Sequence, residues 1–260
     1  MSYLSIGVRD HNHNNINEGS AMPYKEVRGN IFNSNAQALV NTVNCVGVMG
    51  KGIALEFRRR YPNMFGEYQR VCEKGKLQPG QILPYRYGET WILNFAIKKD
   101  WKQPSKVEWI ENSLKEFVSG YRDIGIKSVA FPWMGAVNGG IPVEIIKKIM
   151  RSYLSNLTDI SIEVYDFDPD VSDPLFEKLN DIAKIQPLNI KELSKKSEIQ
   201  LRYMEKIINT IRQENIKSLP RLIELGIIGK INTEKLYTFL TDPRTDSKNF
   251  RVVTLFSEGE

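Results

Sequence analysis

From Asn41 to Gly52 the chain reads Asn-Thr-Val-Asn-Cys-Val-Gly-Val-Met-Gly-Lys-Gly, so an apolar strand runs straight into a glycine-rich loop and then a helix. Few architectures accept that order. A buried strand that turns at once into a helix belongs to an α/β unit, with the helix packed back on the sheet. Gly47, Gly50 and Gly52 let backbone N–H groups close around an anion at the start of the helix. Unpaired amides and the helix dipole both favour negative charge there, and a diphosphate suits the loop. Asn41 and Asn44 end the strand as uncharged donor-acceptors, expected to read sugar hydroxyls. The segment therefore reads as a nucleotide-sugar pocket, although loops of this kind also serve only to turn a corner. Two common nucleotide templates fail. Lys51 is followed by Gly52, so no hydroxyl is placed for magnesium. No acidic residue ends a second strand about twenty residues later, as a dinucleotide fingerprint requires.

The same grammar recurs. Strands are predicted over 24–27, 38–44, 128–132 and 161–167, with helices over 53–61, 107–120 and 142–154. Segments 80–88 and 90–97 read as a hairpin of two buried strands around a Gly-Glu turn. The strand 128–132 runs into Gly135-Ala-Val-Asn-Gly-Gly140 before the next helix, a second glycine loop. Two facing loops can hold a diphosphate from both sides.

The run Gly29-Asn30-Ile31, then Ala38 to Asn44, then Gly47 to Leu55 resembles the macrodomain family, and within it the DNA ADP-ribosyl glycohydrolase (DarG) antitoxins that remove ADP-ribose from thymidine in DNA. The similarity covers roughly residues 24–168. It implies an α/β fold, a three-layer α/β/α macrodomain with a mixed central sheet, binding ADP-ribose at the carboxyl ends of the strands. By the same resemblance the first phosphate loop includes Val48, Met49, Gly50, Lys51 and Gly52. The second, around the distal ribose, comprises Met134, Gly135, Ala136, Val137, Asn138 and Gly139. Asn30, beside Ile31, stands where many macrodomains carry an aspartate that accepts from adenine. Phe167 is either an adenine-stacking ring or a core aromatic. In the Asn94-Phe-Ala-Ile-Lys98 setting, Lys98 is implicated as the catalytic residue, attacking or polarising the distal ribose. Lys99 is its competitor, because adjacent strand residues face opposite ways. An ADP-ribose reader without turnover, or a hydrolase of small ADP-ribose derivatives, would use the same pocket.

The 260 residues suffice for one ordinary domain and a smaller one. The division expected is a polar leader over 1–22, the macrodomain over 23–185 and a small all-helical C-terminal module over 186–260. Helix patterns lie over 188–211 and 219–225, and a third follows Asn232 as its N-cap. Gly226 and Gly229 are spaced as in a helix-turn-helix hairpin. The module is expected to recognise a partner, by resemblance a cognate ADP-ribosyltransferase toxin, or DNA. Trp101, Lys99, Lys102 and Lys106 interleave aromatic and positive character, as single-stranded nucleic acid binders do. Net charge is only +5, with no basic stripe, and Arg58-Arg59-Arg60 is explained as a helix C-terminus favouring cations. Two cysteines, Cys45 and Cys72, make no disulfide framework. His11 and His13 lack acidic or sulfur partners for a metal, and no cofactor is expected. Without a long apolar run or a signal pattern the expectation is a cytoplasmic protein with no membrane partner.

Overall fold

A computed structural model of the chain describes residues 23–250 apart from Asn215 and Asp246. The expectations for the 1–22 leader, His11 and His13 among them, lie outside the described residues. The α/β unit runs β1 (Tyr24–Gly29), β2 (Ala38–Asn44), α1 (Gly52–Arg60), α2 (Pro62–Glu73), β3 (Ile82–Tyr87), β4 (Thr90–Lys98), α3 (Val107–Gly120), β5 (Ser128–Pro132), α4 (Val143–Leu154) and β6 (Ser161–Phe167). Alternation along the central strands builds both cores. Ala38 and Val40 of β2, with Leu93, Phe95 and Ile97 of β4, pack beneath α3 and α4. Leu39 and Val43, with Ile92 and Ala96, pack beneath α1 and α2. The result is the expected three-layer sandwich.

The sheet order is β1-β6-β5-β2-β4-β3, parallel throughout except for β3, which pairs antiparallel with β4. The hairpin forms, but β3 is an edge strand with largely half-buried and exposed residues rather than a buried one. Pro84 suits an edge, where a missing N–H costs no ladder bond. Pro62 ends α1 and also occupies the first turn of α2, a helix the sequence pattern does not delimit.

Beyond the sheet lie α5 (Pro174–Lys184), α6 (Ile190–Ser197), α7 (Leu201–Gln213), α8 (Leu219–Glu224) and α9 (Lys230–Thr241). The predicted helix over 188–211 is broken where Glu198 takes a left-handed φ of 55°. The last helix starts after Gly229 rather than Asn232. α5 falls inside the stretch assigned to the macrodomain, yet it buries Phe176, Leu179 and Ile182 with Leu193, Met204 and Leu236 of the helical module. The change of core therefore falls just before Pro174. The Arg58 to Arg60 run is not a solvated helix end: Arg58 and Arg59 meet Glu234 at 3.2 and 3.1 Å, and Arg60 meets Asp173 at 3.0 Å. Tyr237 of α9 donates to Glu56 of α1 at 2.7 Å, so the module docks on α1.

Candidate active site

Because β1, β6, β5, β2 and β4 are parallel, their carboxyl ends share one edge of the sheet. The strand order then sets the order of the site residues: Asn30 after β1, Phe167 ending β6, loop 133–141 after β5, loop 45–51 after β2, and Lys98 ending β4. Four strand spacings of about 4.8 Å spread these residues over roughly 19 Å of that edge, the line along which a crevice would run. It suits an elongated ligand held end to end.

The first loop is braced from below. Asn44 Oδ1 accepts from Val46 N at 3.0 Å and Val48 N at 3.3 Å, and its Nδ2 donates to the Val48 carbonyl at 2.5 Å. Tyr68 of α2 donates to the Asn44 carbonyl at 2.8 Å. Asn41 is fully buried, and its Nδ2 donates to Asn94 Oδ1 at 2.8 Å. Both asparagines therefore shape the floor of the loop rather than face a sugar, because their side chains point to the α1/α2 side of β2 and the loop folds over them. Tyr68 and Asn94 are supports that the sequence reading does not assign, since neither belongs to a loop motif. Met49 is buried, whereas Val48, Gly50, Lys51 and Gly52 line the open side. Lys51 supplies no side-chain cap and the first turn of α1 has no acidic residue, which leaves its amides facing the crevice.

The second loop touches the first. A Cβ on Gly52 (φ 56°) would strike the Asn138 amide, and one on Gly139 would strike the backbone of Gly135 (φ 80°). Only glycine permits that approach. Trp133 and Met134 anchor the loop in the core, Ala136 is half-buried, and Val137 stands 89% exposed at the tip beside exposed Asn138.

At the β1 end Asn30 Oδ1 accepts from Phe32 N at 3.1 Å, which caps a single 3-10 turn, Ile31–Asn33, with Ile31 buried. Phe167 pairs with Gly29 across the sheet and is 57% exposed, so it is not a core aromatic. At the other end Lys98 is the last residue of β4, and its Nζ donates to the Asn138 carbonyl at 2.5 Å. Burial pushes its pKa below the ordinary lysine value. Lys99 is exposed, and its carbonyl accepts from Cys45 N at 3.3 Å. Burial pushes the Cys45 thiol up to about 12, which leaves it protonated and unfit as a nucleophile. Among the described residues no group of histidine, cysteine, aspartate and glutamate side chains could hold a metal ion. No described helix is long and apolar enough to cross a membrane.

Comparison with known proteins matches residues 40–150 to the Macro domain model. A Thermus aquaticus protein named DNA ADP-ribosyl glycohydrolase is 41% identical over 144 residues, which cover 54% of this chain and 40% of that protein. The chain thus spans well under half the length of the curated relatives it matches first. The solved macrodomain of Mycobacterium tuberculosis DarG superposes with a TM-score of 0.53 at 39% identity, covering 55% of this chain and 96% of that one. Thermosipho africanus DarTG in complex with ADP-ribose superposes with a TM-score of 0.54 at 31% identity, covering 60% of this chain and 44% of that one. The chain therefore belongs to the macrodomain family.

Proposed function

We propose that this chain binds ADP-ribose along the crevice and hydrolyses the bond joining it to a macromolecule, by resemblance thymidine on DNA. One observation carries the reading: an exposed aromatic beside Asn30, two touching glycine loops and a desolvated lysine follow one another along a single sheet edge. That sequence matches adenine, diphosphate and distal ribose in order. Adenine lies between Asn30, Ile31 and Phe167. The diphosphate lies between the amides of residues 48–52 and those of 134–139, where charge-assisted bonds to backbone N–H groups are strongest. The distal ribose reaches Lys98.

The Lys98 amine is drawn from solvent toward the second loop, where its lowered pKa enlarges the neutral fraction that attack on the anomeric carbon needs. In the net reaction the C1″–N bond to the base breaks, water oxygen ends on C1″, and the water proton ends on the base nitrogen. The relatives named as DNA ADP-ribosyl glycohydrolases support this chemistry, as does the DarTG structure with ADP-ribose. A cognate ADP-ribosyltransferase toxin is the proposed partner of the chain, in keeping with the Thermosipho africanus fusion protein that joins the two activities, and the cytoplasm is the proposed setting.

The test is incubation of the purified chain with ADP-ribosylated single-stranded DNA and with ADP-ribosylated protein, following free ADP-ribose. Release from DNA is expected. Binding of ADP-ribose without release from either would make the chain a reader.

A further inference from the structure

The segment that follows Lys98 carries chemistry that ADP-ribose itself does not use. Asp100 Oδ1 accepts from Lys102 N at 2.9 Å, and Gln103 N donates to the Asp100 carbonyl at 3.2 Å, closing a turn that leaves Trp101 51% exposed. Lys102 Nζ lies 5.4 Å from the centre of that ring, and Lys106 Nζ lies 5.0 Å from the centre of Trp109. Lys99, Lys102 and Lys106 are all exposed. The segment is also fastened in place. Ser105 N donates to the Gly139 carbonyl at 2.9 Å, and Lys98 reaches the Asn138 carbonyl at 2.5 Å. The Trp101 ring sits on a turn tied at both flanks to the second loop, beside the end of β4.

The inference rests on the proposed direction of the ligand, in which the distal ribose ends at β4. Whatever hangs from that ribose must leave the crevice over residues 99–106. We propose that Trp101, with Lys99, Lys102 and Lys106 around it, seats the nucleobase and flanking phosphates of the macromolecule, which is a single-stranded nucleic acid. An exposed indole offers every base a face to stack on, and flexible lysines track phosphates whose positions vary. Trp101 then determines which macromolecule is accepted, while the loops hold the ADP-ribose common to all of them.

The experiment compares Trp101→Ala and Trp101→Phe with the unaltered chain in three measurements: calorimetry with free ADP-ribose, KM and kcat on an ADP-ribosylated single-stranded oligonucleotide, and quenching of tryptophan fluorescence by unmodified oligothymidylate. Trp101→Ala is expected to leave ADP-ribose affinity unchanged, raise KM about tenfold with little change in kcat, and lose the quenching. Trp101→Phe retains most of the affinity. Unchanged KM and quenching in Trp101→Ala would overturn the proposal, as would an equal rise in KM on ADP-ribosylated protein. The quenching arm needs no turnover, so a chain that bound oligothymidylate through Trp101 but ignored ADP-ribose would sink the crevice reading and keep Trp101 only as a nucleic-acid contact independent of it.

Discussion

Arg60 Nη2 stands 3.0 Å from Asp173 Oδ1, with the two side chains only 7% and 0% exposed. Asp173 caps α5, accepting from Leu175 N and Phe176 N at 3.0 and 3.2 Å. The Arg60 guanidinium also lies 4.1 Å above the ring of Phe32, in the turn that Asn30 caps. One buried cation thus joins the β1 end of the crevice, the helix that carries the first loop, and the first helix of the C-terminal module. Burial alone would weaken the arginine's hold on its proton, but the charges of Asp173 and Glu56 outweigh it and raise its pKa. Asp173 Oδ2, Arg60 Nε and Arg60 Nη2 have no hydrogen-bond partner, so no guanidinium N–H is well aligned on the carboxylate and charge attraction dominates the contact.

Removing one member of this pair strands the other charge in the interior, a change worth about 3–5 kcal/mol. Asp173→Asn, which keeps an N-cap acceptor, is expected to lower stability on that scale in urea denaturation. The double variant Arg60→Met with Asp173→Asn should be less damaged than the sum of the singles. A loss below about 0.5 kcal/mol for Asp173→Asn would mean that the pair is solvated.

Where the chain is cut should matter. A fragment ending at residue 185 keeps α5 but strips its partners from Phe176, Leu179 and Ile182, and is expected to aggregate. A fragment ending at 172 removes the second core whole and should stay soluble and bind ADP-ribose. Size-exclusion chromatography with calorimetry separates the two. Equal behaviour of both fragments would put α5 with the sheet.

The glycines of the loops differ in what they tolerate. A Cβ on Gly50 meets only Val48 Cγ1 at 3.7 Å, so Gly50→Ala should bind ADP-ribose normally, while Gly50→Glu repels the diphosphate. A Cβ on Gly139 strikes the Gly135 backbone, so Gly139→Ala should displace the second loop and cost about tenfold or more in affinity, on the order of one charge-assisted contact. Normal binding by both Gly50→Glu and Gly139→Ala would place the ligand elsewhere.

Lys98→Ala should abolish release of ADP-ribose from modified DNA and change ADP-ribose affinity by no more than about 1–2 kcal/mol. Desolvation lowers the pKa of Lys98 from 10.5, and its neutral form gains as pH rises. The pH profile of kcat/KM, which reports the free enzyme, is therefore expected to climb through a pKa lowered from the ordinary lysine value and then level off. Lys98→Arg, charged at every accessible pH, should stay inactive. If Lys99→Ala is the inactive variant instead, the reactive lysine is the exposed one.

The local part of this molecule is legible in the chain itself. A short, continuously apolar start over 38–44, glycines immediately after, and a helix-compatible stretch beyond them specify strand, loop and helix through interactions between near neighbours in sequence. Lys98 could be placed at a strand end for the same reason. Tertiary packing decided the rest, because it depends on partners far apart along the chain. It turned Asn41 toward Asn94 and folded the loop over Asn44, converting both from ligand candidates into supports. It left Phe167 exposed at the end of β6, a choice the strand pattern alone does not make. It gave Arg60 a partner at Asp173 and drew α5 into the helical core, since an apolar helix face carries no mark of which of two cores will bury it. Hydrophobic periodicity states that a face must be covered; only the assembled fold supplies the surface that covers it.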